Sequence, residues 1–115
     1  MTDRELTKLA ARAAYTKLIF DSQINQFRNC TMARPESNLF AMPIWNPLID
    51  DGDALRLAVK LNIDVMQDKH EQVVSARCPG IDFDDDWIGE HWGNDKLAAT
   101  RRAIVRAAAS IGGAT

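Results

Sequence analysis

Six carboxylates and two tryptophans fall within residues 81–95, a stretch that contains no lysine or arginine. Oxygen donors at this density could hold a hard cation, and the acids at 82, 84 and 86 match the start of an EF-hand loop. The pattern then fails, because Trp87 stands where that loop needs glycine and Gly93 where it needs a bidentate glutamate. His91 has no second histidine or cysteine at ligand spacing, so zinc is not indicated either. We predict no metal and no cofactor.

Protein recognition fits this stretch better, since aromatic side chains amid charged ones are typical of binding hot spots. We therefore take it as a candidate partner-binding surface formed by Asp82, Asp84, Asp85, Asp86, Trp87 and Trp92. The simpler alternative is an exposed acidic loop whose two tryptophans pack its ends onto the core. The sequence leaves both open.

Three arginines near the end of the chain are candidates for binding an anion: Arg101, Arg102 and Arg106. Arg101 projects from the apolar face of a predicted helix, where an unpaired guanidinium would be costly. It either pairs with an acid from residues 50–53 or 82–86, or binds a ligand's carboxylate or phosphate through two hydrogen bonds. Arg102 and Arg106 lie one turn apart, away from the core. This helix and the acidic stretch either neutralise each other or form oppositely charged edges.

Length and composition narrow the class of protein. The 115 residues predict one domain, residues 1–115, with a core that needs no disulfide. A net charge of −2 argues against a surface that grips nucleic acid throughout. The polar N-terminus and the lack of a long apolar run indicate a cytosolic protein without a membrane segment. Two histidines and no Ser-His-Asp order favour a protein that is not an enzyme.

Two helices are predicted to position these residues in the first half of the chain. Thr2 and Glu5 form a capping box for a helix over residues 3–15, whose outer face carries a basic stripe at 4, 8 and 12. Asp50 caps a second helix that ends near Asn62, and capping accounts for the acids at 50, 51 and 53 without a metal. Apolar residues cover more than half of this helix. We therefore expect it to be packed on more than one side, at the centre of the core.

The remaining elements predict an α+β fold in the order α-β-β-α-β-β-α, with one small, mostly antiparallel sheet packed against three helices. Residues 17–20 and 24–32 read as two strands and residues 33–38 as a loop. Trp45 then either covers the end of the core or forms part of a binding surface. Residues 63–67 and 73–77 form a hairpin. Asn94 or Asp95 caps a last helix over residues 96–110, with Leu97 on its apolar face. Gly112 and Gly113 end that helix.

Two sequence blocks and a short opening motif carry a resemblance to a known group of proteins. The blocks are WNPLIDDGDALRLAVKL at residues 45–61 and AATRRAIVRAAA at residues 98–109, and the opening motif is DREL at residues 3–6. Together they resemble small accessory proteins of tailed bacteriophages and prophages. The group has no established activity or catalytic residues that could be carried over. The resemblance implies expression in the cytoplasm of an infected bacterium and a role auxiliary to building the virion.

These observations lead to three hypotheses. The first is a non-enzymatic phage accessory protein that binds and modulates a host macromolecule, such as a component of a bacterial defence system, through the acidic and aromatic stretch. The second is a protein that sequesters a small anionic ligand or nucleotide through Arg101 with Arg102 or Lys96. The third is nucleic-acid binding through Arg102, Arg106 and the first helix, which predicts a steep dependence on salt. A homodimer would cover apolar helix surface left over in so small a domain.

Overall fold

Three helices and five short strands make up the part of the chain that this computed structural model describes, residues 1–78 and 87–113. The predicted α+β class and element order are confirmed, with one additional strand before the last helix. The elements are α1 (Asp3–Ala13), β1 (Leu18–Asp21), β2 (Gln26–Asn29), a 3-10 helix (Leu39–Ala41), α2 (Asp51–Leu61), β3 (Asp64–Asp68), β4 (Val73–Arg77), β5 (Ile88–His91) and α3 (Lys96–Gly113).

The strands form two antiparallel sheets where one was expected. The first consists of β1 and β2, and the second has the order β3-β4-β5. Residues 43–45 lie beside β2 and extend the first sheet through a bridge between Arg28 and Ile44. Strand β5 lies in the acidic stretch and was not predicted. Its register places Ile88 opposite Ala76 and Glu90 opposite Val74, so β5 continues the face of β4 that is buried.

Helix α3 occupies the centre of the molecule and packs against α1, α2, β4 and β5. Its buried residues are mostly alanines, which let neighbouring backbones approach closely. Gly112 extends this principle, because a Cβ at this position would overlap the Leu9 carbonyl oxygen of α1. Gly112 and Gly113 were expected to end the helix, but α3 continues through Gly112 as far as Gly113. Gly112 is a packing residue inside the helix, where only a hydrogen side chain fits between α1 and α3.

Helix α2 is peripheral, which corrects its expected place at the centre of the core. Ala54 and Leu57 are buried, with Leu57 only 3% exposed, and they pack with the core of the protein. Leu55 and Val59, by contrast, are 64% and 67% exposed. The burial of α2 was overestimated from its number of apolar residues. The sequence does not show that one apolar side of this helix has no other element packed against it. Leu97 of α3, also expected in the core, is 62% exposed.

Local signals were read correctly at most helix ends and turns. Thr2 and Glu5 form the predicted capping box, and the Asp50 carboxylate accepts from the Asp53 N–H at 2.8 Å. Asn62 ends α2 in the left-handed conformation, and the Asp95 carboxylate accepts from the Ala98 N–H at the start of α3. Helix α1 ends two residues before its predicted limit. The chain reverses there, with Tyr15 at a φ of 54° and the Thr16 N–H donating to the Ala11 carbonyl.

Candidate functional site

The predicted partner-binding residues are only partly within the described chain. Asp82, Asp84, Asp85 and Asp86 lie outside the described residues. Trp87 is half-buried, and its ring lies 4.6 Å from the Arg77 guanidinium. Trp92 is also half-buried, with the Lys96 ammonium 4.1 Å from its ring. Both indoles therefore combine a packed face with a neighbouring cation, and their role in binding a partner stays a prediction.

Arg101 forms the structural pair that was one of its two interpretations. Its Nε donates to the Leu48 carbonyl at 2.9 Å, and its Nη1 donates to the Asp51 carboxylate at 2.6 Å. The Arg101 side chain is only 15% exposed and that of Asp51 is 62% exposed, so this pair joins the start of α2 to α3 at the protein surface. The predicted anion-binding role would require an incoming anion to replace the Asp51 carboxylate.

Arg102 and Arg106 both contact an acid from the stretch that precedes α3. Arg106 Nη1 lies 2.8 Å from Glu90 Oε1, and Arg102 Nε lies 3.7 Å from the same oxygen. Arg102 also donates to Asp3 at the start of α1, at 2.9 Å. Within the described residues, Glu90 therefore pairs with both arginines. Four of the six acids of the stretch lie outside those residues, so neutralisation of the acidic stretch by this helix stays a prediction.

Metal-ligating side chains do not converge in the described part of the chain. Among those residues, no group of three histidine, cysteine or acidic side chains could hold a metal ion. His70 is exposed in the β3–β4 turn, and the buried Cys78 thiol donates to the Ala107 carbonyl at 3.1 Å. Within residues 1–78 and 87–113, none of the helices is long and apolar enough to cross a bilayer.

Exposed apolar side chains of α2 and β3 lie next to each other, with Leu55, Val59 and Val65 among them. An open groove of about 450 Å³ is bordered there by Leu55, Ala58, Val59, Asn62, Ile63, Asp64 and Val65. We call this the α2–β3 surface. Strand β3 is an edge of its sheet, and all five of its residues are exposed. The surface therefore offers both apolar side chains and an unpaired strand edge.

The α2–β3 surface is linked to one of the predicted partner-binding residues. Arg77 of β4 donates to Asp64, which borders the groove, at 3.2 Å. The other side of the same guanidinium faces the Trp87 ring. The sequence could not predict that Arg77 links the groove to Trp87, because this contact depends on the strand register that places Asp64 opposite Arg77.

A second cleft runs along the opposite side of α2 and was not predicted. Two adjoining cavities of about 380 and 310 Å³ share the residues Pro43, Ile44, Asp53 and Arg56. One wall is α2 and the other is the segment beside β2. Three charged residues of α2, Asp53, Arg56 and Lys60, line the larger of these cavities. Their spacing of three and four residues was the available signal that they share one face.

A buried ion pair holds the first sheet together. Arg28 Nε donates to Asp21 Oδ2 at 2.8 Å, and Arg28 Nη1 donates to the Met42 carbonyl at 2.8 Å. The hydrogen bond from Arg28 lowers the pKa of the Asp21 carboxyl from its ordinary value of 3.8, although desolvation by burial acts in the opposite direction. This pair thereby fixes the segment that forms one wall of the second cleft.

Comparison with known proteins adds no further assignment. The chain matches no family model, no curated protein and no solved structure. The conclusions about function therefore rest on the residues and geometry described above.

Proposed function

We propose that this chain is a non-enzymatic accessory protein that binds and modulates a macromolecule of a bacterial host, with a folded host protein as its partner. The observation that carries the proposal is the α2–β3 surface. Leu55 and Val59 expose most of their side chains to water beside an open strand edge. Contiguous exposed apolar surface of this kind marks interaction sites in soluble proteins. The bacteriophage setting comes from the resemblance of residues 45–61 and 98–109, and a bacterial defence component is the proposed class of target.

The contacts around the groove support a protein partner over a small ligand. The groove is shallow and open, whereas a small-molecule site encloses most of its ligand. Its apolar centre is bordered by the charged Asp64–Arg77 pair, and Trp87 lies next to that pair. An apolar centre with a polar rim and a nearby aromatic side chain is the usual composition of a protein interface.

The test is affinity capture from lysate of the host bacterium, with and without nuclease, followed by mass spectrometry. The wild-type protein is expected to retain one stoichiometric host protein after nuclease treatment. The double variant Leu55→Ser and Val59→Ser is expected to lose it while keeping the wild-type thermal midpoint. Leu97→Ser is the matched control, because Leu97 is equally exposed but lies on α3. Capture that survives the double variant would contradict a role for this surface.

Self-association of the chain through the same surface is the alternative to binding a host protein. Light scattering coupled to size exclusion distinguishes the two cases. A monomer that captures a host protein agrees with the proposal. A dimer that Leu55→Ser dissociates, with no host protein captured, would mean that self-association covers the surface and would overturn the proposal.

A further inference from the structure

The cleft on the other side of α2 contains backbone groups that a strand could pair with. The Asn29 N–H donates to the Pro43 carbonyl at 2.8 Å, and the Trp45 N–H donates to the Phe27 carbonyl at 2.9 Å. Successive residues of an extended segment direct their N–H and C=O groups to opposite edges. The N–H and C=O of Ile44 therefore point away from β2. Neither has a hydrogen-bond partner in the described part of the chain.

The side chains around Ile44 suit an extended apolar segment. Ile44 is 46% exposed and borders both cavities, together with Pro43. Trp45 and Leu57 line the larger cavity and are themselves buried, so this part of the floor is rigid. The two walls are bonded to each other near Asp50, because the Asp53 carboxylate of α2 accepts from the Asn46 N–H as well as from Arg56.

The two ends of the cleft carry opposite charge. Lys60 lies at one end and forms no ion pair with the described residues. At the other end, the carboxylates of Asp50 and Asp53 face the single guanidinium of Arg56, which leaves one negative charge in excess. Ten residues of helix separate Asp50 from Lys60, a rise of about 15 Å. An extended chain covers that length in about five residues.

The direction in which residues 43–45 run determines the expected direction of a bound peptide. Residues 43–45 run antiparallel to β2, so Pro43 lies nearer the Lys60 end and Asn46 nearer the Asp50 end. A segment pairing antiparallel to residues 43–45 would run from the Asp50 end to the Lys60 end. Antiparallel pairs are the commoner arrangement in proteins.

We infer that this cleft binds an extended peptide segment of a partner protein, which adds a strand beside Ile44. The segment has a basic residue on its amino-terminal side, about three apolar residues at its centre and an acidic residue on its carboxyl-terminal side. Backbone pairing with Ile44 supplies the alignment, and the opposite charges select the direction, as in strand addition at other sheet edges. This site is separate from the α2–β3 surface, and its test is independent of the proposed function.

The experiment uses the full chain and a capped five-residue peptide with lysine, three β-branched residues and aspartate in that order. Binding is followed by fluorescence polarisation and by amide chemical shifts. The Ile44 amide signal is expected to move on saturation, whereas the signals of Leu55 and Val59 remain in place. Lys60→Gln is expected to raise the Kd about threefold, the effect of one exposed ion pair. Lys69→Gln, an exposed lysine in the β3–β4 turn, is the matched control and is expected to leave the Kd unchanged.

Two altered peptides separate this inference from its alternatives. Exchanging the lysine and aspartate is expected to weaken binding, and an N-methyl group on the central residue is expected to weaken it about tenfold by removing the hydrogen bond to Ile44. Equal affinity for the exchanged or methylated peptide would overturn the inference. So would a failure of the original peptide to bind. Displacement of the peptide by acetate or inorganic phosphate at similar concentrations would show that the cleft takes a small anion instead.

Discussion

From their compositions, helix α2 would be expected at the centre of the molecule and helix α3 at its surface, but the structure shows the opposite. Helix α2 has large apolar residues around most of its circumference, yet it lies at the side of the molecule with Leu55 and Val59 in water. Helix α3 carries three arginines and many alanines, yet it lies at the centre. The difference shows that side-chain size decides which helix can be surrounded. Alanine and glycine let α1, α2 and two strands approach α3, whereas leucine and valine on α2 leave surface available for partners.

The largest expected effect comes from enlarging the smallest residue at the α1–α3 contact. Gly112→Ala places a methyl group where the Leu9 carbonyl oxygen already lies, so the helices must separate. We expect the free energy of unfolding to fall by about 3 kcal/mol, measured by urea denaturation. Gly113→Ala is the matched control, since a Cβ there meets nothing within 4 Å. It is expected to raise stability by up to about 0.5 kcal/mol through helix propensity. Equal effects of the two variants would contradict close packing at Gly112.

Leu57 and Leu55 allow a buried and an exposed leucine to be compared within the same helix, α2. Leu57→Ala removes a buried side chain and is expected to lower the free energy of unfolding by about 2 kcal/mol. The value is at the low end for leucine because the side chain also borders the cleft. Leu55→Ala, in the same helix with the same change in propensity, is expected to stay within about 0.5 kcal/mol of wild type. Similar losses at both positions would show that Leu55 is covered in solution, as in a dimer.

The smallest expected effect concerns the first sheet, where Asp21 of β1 pairs with Arg28 of β2. Because pairing with Arg28 lowers the pKa of Asp21, the carboxylate stabilises the fold above pH 3.8. That contribution is lost as the pH falls through the lowered folded-state pKa. Asp21→Asn is therefore expected to be less stable than wild type at pH 6, with the difference narrowing below pH 3.8.

The difference in the free energy of unfolding between Asp21→Asn and wild type is measured by urea denaturation at a series of pH values between 6 and 2. The double variant Asp21→Asn with Arg28→Met isolates the pair by removing both charges. Its stability is expected to vary less with acid pH than that of wild type. A constant difference between Asp21→Asn and wild type across the range would contradict the lowered pKa.

Local chemistry made the helices and hairpins predictable, because caps and turns involve residues close in sequence. Thr2 with Glu5, Asp50, Asn62 and Asp95 all occupy the helix ends expected of them. The packing of whole elements was less predictable. Amphipathic periodicity shows which face of a helix can be buried, but the presence of a neighbour depends on distant parts of the chain. That is why α2 was placed at the centre and Gly112 was read as a helix end.

In the candidate sites, too, some contacts were predictable from the sequence and others were not. Pairing of Arg101 with an acid from residues 50–53 was foreseeable, since a guanidinium on an apolar face requires a partner. The cleft at Ile44 was not foreseeable, because it depends on residues 43–45 joining β2 and leaving one edge unpaired. Strand β5 was hidden within the acidic stretch. Only the register with β4 shows that Glu90 points towards the arginines of α3.

The contact between α1 and α3 also sets the order in which the chain can fold. About eighty residues lie between the two helices, so bringing them together carries a substantial loop-closure entropy. The two hairpins, β1–β2 and β3–β4, need only short loops and can form earlier. On the ribosome, the apolar face of α1 stays uncovered until α3 has been synthesised. The helix that completes the core is therefore the last to become available to it.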